Sequence, residues 1–154
     1  MSLIASAETI AWLQDYRFQP EQPLLANSEG GQPLIMAAQQ ARGDVLAYLL
    51  QQQDVNLGLL DAYGNNALWA ACFANAPVCI ALLLEAGIDI DYQNPSGATA
   101  LIYSSSSGRD AVVEQLLQAG ANLLLTTQDD FSALDLAANR RCLQLLRNAV
   151  KALQ

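Results

Sequence analysis

Apolar residues fall at fixed offsets from four leucines, Leu34, Leu68, Leu101 and Leu134, which stand 34, 33 and 33 residues apart. The pairs Val45-Leu46, Cys79-Ile80 and Val112-Val113 lie eleven and twelve residues beyond the first three anchors. Leu49-Leu50, Leu83-Leu84 and Leu116-Leu117 lie fifteen and sixteen beyond. Steps of three and four place these blocks on one helical face. Each copy is therefore expected to be helix, turn, helix. A unit of that size cannot bury its apolar face alone, so the copies must stack.

Polar positions mark where the helices begin and end. Two residues before the anchors stand Gln32, Asn66, Thr99 and Ser132. The last three carry short oxygen-bearing side chains suited to an N-cap, and Pro33 occupies a first helical position, where its missing N–H costs nothing. The first helix of every copy, the last included, is expected to start there. Gly87 and Gly120 are placed to end second helices in a left-handed conformation. Asn27-Ser28-Glu29-Gly30, Asp61-Ala62-Tyr63-Gly64 and Asn94-Pro95-Ser96-Gly97 have the composition of tight turns, and Asp130 replaces the glycine in the fourth copy.

A turn and two helices in about 33 residues resembles the ankyrin repeat, whose consensus runs D-x-x-G-x-T-P-L-H-x-A-A, two apolar pairs, then G-A-D-V-N. Gly97-Ala98-Thr99-Ala100-Leu101 and Ala119-Gly120-Ala121-Asn122 match it best, with Asp54-Val55-Asn56 and Ser132-Ala133-Leu134-Asp135-Leu136-Ala137 in support. The resemblance implies an all-α solenoid of stacked helix-turn-helix units joined by hairpin loops. Residues 1–154 then form a single domain: an N-terminal cap at 1–26, repeats at 27–59, 60–93 and 94–126, and a shortened C-terminal repeat at 127–154. Ile35, Trp69, Ile102 and Asp135 replace the consensus histidine, so other contacts must hold neighbouring hairpins together. Trp69 is expected to pack between hairpins.

Composition narrows the function. The chain has no histidine, which removes the usual base from Ser-His-Asp and Cys-His systems and the commonest nitrogen ligand from zinc sites. Cys72, Cys79 and Cys142 form no C-x-x-C pair and read as buried free thiols. Asp89, Asp91 and Asn94 lack the later glutamate of a calcium loop. Arg42-Gly43-Asp44 lies in an expected interhelical turn, and Ser104 to Ser107 begins at small-residue packing positions. No catalytic residue, metal or cofactor is expected, and the protein is not read as an enzyme.

All 15 acids lie at or before Asp135, together with only Arg17, Arg42 and Arg109. Arg140, Arg141, Arg147 and Lys151 close the chain. The net charge of −8 opposes binding to nucleic acid or anionic lipid and suits a basic partner. The cations at the end are expected to complement a helix C-terminus. Met1 to Ala7 lacks the basic-then-apolar pattern of a secretory signal, and no apolar run reaches the length of a membrane span, so a soluble cytoplasmic monomer is expected.

The family resemblance places partner contacts at the hairpin tips and the exposed side of the first helices, lining a concave face. By register this selects Tyr63, Asn65 and Phe73, then Ser96, Gln128, Asp129, Phe131, Asn139 and Arg140, with Leu60, Gln93 and Thr126 at the hairpin rims. Leu60, Tyr63, Phe73 and Phe131 are large and apolar at positions expected to face solvent. The expected function is binding of one protein partner, as inhibitor, adaptor or neutraliser of a basic protein. The alternative is a regulatory or structural subunit with a permanent oligomer interface.

Overall fold

The computed structural model describes residues 4–154. Among the described residues eight helices follow one another: α1 (Ala7–Asp15), α2 (Pro33–Gln39), α3 (Gly43–Leu50), α4 (Ala67–Phe73), α5 (Pro77–Glu85), α6 (Ala100–Ser106), α7 (Asp110–Gln118) and α8 (Arg140–Lys151). Among the described residues there is no strand; an isolated bridge joins Gln19 and Gln22. No described helix is long and apolar enough to cross a membrane. The chain forms two compact units, Met1–Ile88 and Asp89–Gln154.

In the first unit α2 packs on α3 and α4 on α5, the first helices meet each other, and α3 touches both α1 and α5. Leu34, Leu46, Leu49, Leu68, Ile80 and Leu83 are withdrawn from water, each contributing about 1.5–3 kcal/mol. Ala37, Ala38, Ala71 and Cys72 are fully buried, small enough to bring the helices close. Asn66 caps α4 by accepting from the Trp69 N–H at 3.1 Å, and Pro33 and Pro77 open α2 and α5. Trp69 is half-buried.

The N-terminal segment has a definite place in the repeat register. The Phe18 N–H donates to the Leu13 carbonyl at 2.7 Å, as the Ile88 N–H does to Leu83 and the Ala121 N–H does to Leu116, both at 3.1 Å. Helix α1 packs on α3 as α3 packs on α5, which places it in the row of second helices. Its closing left-handed residue is Arg17 at φ 66°, where the later copies have Gly87 at 95° and Gly120 at 92°. The arginine hides the match in sequence, because only glycine takes this conformation without steric cost.

In the second unit α6 packs on α7 and α7 on α8, around Leu101, Val112, Val113, Leu116 and Leu146. Thr99 caps α6 by accepting from the Ile102 N–H at 3.1 Å. The expectation of a first helix after Ser132 fails. Ser132 and Asp135 exchange side-chain to backbone bonds of 2.9 and 3.2 Å, but only a single turn follows, and the chain enters α8 at Arg140. Asn139, which precedes α8, stands 30 residues after Arg109, which precedes α7, so this copy is about three residues short of the repeat, and the loss falls on its first helix, leaving too few for a second turn. Leu134 is consequently half-buried, while Ala133 is buried at 1% exposure. Ala138 lies outside any helix, and its N–H donates to the Ser105 carbonyl at 3.0 Å.

Candidate functional site

The hairpin tips repeat one hydrogen-bond scheme. Asn27, Asp61 and Asn94 each accept two backbone N–H groups through a side-chain oxygen, from residues two and four positions on, at 2.8 to 3.1 Å. Their own N–H groups donate to the carbonyls of Gly31, Asn65 and Ala98, and Gly30, Gly64 and Gly97 close the turns at positive φ. Thr127 does the same work in the fourth copy, its Oγ1 accepting from the Phe131 N–H at 3.2 Å, with Asp130 left-handed at φ 69°. A rigid local ring thus fixes where each tip side chain points.

In the first unit this scheme holds Tyr63 out at 80% exposure and Leu60 at 43%, and Phe73 ends α4 at 64%. None of the three is tucked beneath a neighbouring loop. Asn65 is half-buried and spends its backbone on Asp61. Between the first and second tips lies a groove of about 260 Å³ whose walls include Glu29, Ile35, Met36, Gln39, Leu60 and Asp61.

The second unit treats its predicted residues differently. Phe131 is exposed at 46%, and Asp129 is exposed at the tip. Ser96 turns its hydroxyl to Asn94 Oδ1 at 2.8 Å and gives its carbonyl to the Gln128 N–H at 2.9 Å. Gln128 Nε2 donates to the Pro95 carbonyl at 2.6 Å, and Gln93 Nε2 bonds the carbonyls of Gly97 and Thr126 at 2.9 and 3.1 Å. Asp91 Oδ1 accepts from the Asn122 N–H at 2.8 Å. Gln93 and Gln128, read from sequence as partner contacts, are therefore the clamps between adjacent hairpins. They supply bonding between turns that the consensus histidine does not provide here.

Asn139 and Arg140 also change meaning. Asn139 caps α8, accepting from the Cys142 N–H at 2.8 Å while its amide donates to the Gly108 carbonyl at 2.9 Å. Arg140 and Arg141 occupy the first turn of α8, the positive end of the helix dipole, so only Lys151 in the last turn fits the expected complementarity. Arg141 is paired with Glu114 at 3.0 Å, and Arg140 is exposed. Val78 and Leu124, at 65% and 69% exposure, are large apolar surface residues that the sequence reading did not select.

The remaining motifs resolve into structural roles. Arg42 and Asp44 bond each other twice, at 3.0 and 2.9 Å, which holds the Asp44 carboxyl below its ordinary range. Asp89 Oδ1 accepts from the Asp91 N–H at 3.0 Å, and no group of three potential metal ligands occurs among the described residues. Ser104 and Ser105 are fully buried, and Ser105 donates to the Ala133 carbonyl at 2.6 Å. The three cysteines are buried and unbridged, and burial pushes the Cys79 and Cys142 thiols up, away from the reactive thiolate.

Residues 3–94 match the model for ankyrin repeats in three copies, and residues 96–128 match that for a single ankyrin repeat. The chain belongs to the ankyrin repeat family, whose members are interaction modules rather than enzymes. It is 31% identical over 120 residues to the nuclear factor NF-kappa-B p105 subunit of Gallus gallus, covering 75% of this chain but 12% of that protein. The ankyrin repeat domain of Bcl-3, described as a member of the IkappaB protein family, superposes with a TM-score of 0.75 at 26% identity, over 84% of this chain and 58% of that one. The ankyrin repeat protein EF0377 gives 0.70 at 31% identity, over 85% and 67%. The fold is an all-α ankyrin solenoid, and the first family match takes in α1, in keeping with its place as a second helix.

Proposed function

We propose that this chain is a non-enzymatic module that holds one protein partner through its hairpin tips and the exposed sides of its first helices. The observation that carries the proposal is the exposure of Leu60, Tyr63, Phe73 and Phe131 at tip and first-helix positions, where ordered backbone presents large apolar side chains to water. Such side chains are the usual anchors of interfaces. Ser96, Asn65 and Asn139 support the surface through their turn and cap bonds, while Asp129 and Arg140 offer charge at its rim. With a net charge of −8, the module suits a basic partner, as inhibitor, adaptor or neutraliser, and works as a cytoplasmic monomer. Its resemblance to p105 and to Bcl-3 supports the protein-binding reading.

Capture of the partner from the native cell tests this, with Tyr63→Ala combined with Phe73→Ala as control. The double variant is expected to lose the partner and keep its thermal midpoint. Retained binding sinks the assignment of these rings. Light scattering addresses the alternative of a permanent oligomer interface: a dimer whose proportion does not change on dilution overturns the monomeric module.

A further inference from the structure

The N-terminal repeat is open on one side. Helix α2 lies along α3, α4 along α5 and α6 along α7. Helix α1 is a second helix by its register, yet among the described residues no first helix lies along it. A cavity of about 350 Å³ follows α1 from Glu8 past Trp12 to Tyr16 and is bounded opposite by Gln40 and Arg42. A second cavity, of about 220 Å³, shares Asp15 and Tyr16 with the first and continues to Glu29 and Met36. Together they make one groove between α1 and α2, wholly within the first unit.

Its floor is rigid and aromatic. Trp12, only 3% exposed, donates through Nε1 to Gln40 Oε1 at 2.8 Å, and the rings of Tyr16 and Phe18 lie 5.1 and 5.7 Å from it. Tyr16 is 40% exposed and Met36 half-buried, so the groove offers apolar surface to an occupant. Its cations are already engaged: Arg42 bonds Asp44 twice, and Arg17 pairs with Glu29. Glu8 and Asp15 make no ion pair with another described residue. Seven positions apart on α1, they stand on one side of the helix, about 10 Å from each other along its axis.

We infer that this groove docks a basic amphipathic helix of the partner protein, seated where a first helix would lie. Its apolar side rests on Trp12, Tyr16 and Met36, and two Lys or Arg residues seven positions apart meet Glu8 and Asp15. A helix fits because the register reserves this place for one, and a basic helix fits because the two uncommitted charges of the groove are carboxylates. The inference rests on the protein-binding reading above and adds a second contact site, distinct from the tips.

The test uses the full chain carrying Trp69→Phe, so that Trp12 is the sole tryptophan reporter. The probe is a synthetic helical peptide with a leucine and alanine stripe and two lysines seven residues apart; its control carries glutamates at those two positions. The lysine peptide is expected to change Trp12 emission saturably and the glutamate peptide to leave it unchanged. Glu8→Lys with Asp15→Lys should lower affinity for the lysine peptide about tenfold or more and confer binding of the glutamate peptide. Tyr16→Ala should weaken the lysine peptide without changing that charge preference. Equal binding of both peptides, or no effect of charge reversal, overturns the inference. So does self-association abolished by the same reversal, since α8 of a second copy, with Arg140 and Arg147 also seven apart, would then be the occupant. If the native partner is lost from the Tyr63→Ala, Phe73→Ala chain but kept by the Glu8→Lys, Asp15→Lys chain, the groove fails and the tip reading stands. The opposite result removes the tips and leaves the groove.

Discussion

The two compact units use the same tip geometry to different ends. In Met1–Ile88 the tips flank an open groove and hold Tyr63 almost fully in solvent, whereas in Asp89–Gln154 the carboxamides of Gln93 and Gln128 bind adjacent hairpins together. Identical local turns therefore do not make equivalent surfaces. What differs is the side chain at the position just before or just after the turn-forming Asx or Thr. Leu60 and Ala62 have no hydrogen-bonding groups to reach across, and Gln93 and Gln128 do. An interaction surface survives where the repeat does not spend its tip residues on itself.

The anchors provide the largest test of this comparison. Leu68→Ala and Leu101→Ala are each expected to cost about 2–5 kcal/mol in chemical denaturation, because each empties a fully buried site in its own unit. Leu134→Ala should cost clearly less, since the lost helix leaves that anchor half-buried. An equal cost at all three would show that the last copy is packed like the others.

Two glycines separate the tips themselves. Gly30 and Gly97 have nearly the same left-handed φ, 80° and 85°, and alanine at either should lose about 1–2 kcal/mol from that alone. At Gly30 an added Cβ meets nothing within 4 Å, while at Gly97 it lies 2.9 Å from the backbone nitrogen of Gln128. Gly97→Ala is therefore expected to lower the unfolding midpoint further than Gly30→Ala. Equal losses would mean that the clamp between the second unit's hairpins yields at no cost.

A smaller effect, of opposite sign, tests the ends of the first helices. Ala41 sits at φ 56° in the first unit, where Gly108 in the second sits at 70°. Ala41→Gly should raise stability by up to about 1 kcal/mol, the relief of the left-handed strain less the entropy that glycine adds to the unfolded chain. A fall in the denaturation midpoint would contradict this.

The Arg42–Asp44 pair gives the smallest. Its guanidinium depresses the folded Asp44 pKa, so its contribution is full above the ordinary carboxylate range and is lost as pH falls through the folded value. The pair is exposed, and Asp44→Asn should change stability at neutral pH by less than about 1 kcal/mol, with the difference vanishing in acid. A difference that persists below that range would place its origin outside this ion pair.

The sequence by itself determined the repeat, its period and most of its buried set. Leucine spacing dictates which helical face leaves water, and the caps at Asn66 and Thr99 and the turns at Asn27, Asp61 and Asn94 act within five residues. Such local physics can be read without knowing what lies across the stack. Only the tertiary structure decided that α1 is a second helix, since Arg17 occupies a position whose conformation ordinarily advertises glycine. It also decided that Ser132 begins a turn and not a helix, because Asn139 caps α8 three residues early in the register. The candidate surface divides along the same line. That Tyr63 and Phe73 are large residues at tip and helix-end positions follows from spacing, but whether a glutamine there meets a partner or bonds the next hairpin depends on a carbonyl 33 residues away, a distance that no local pattern encodes.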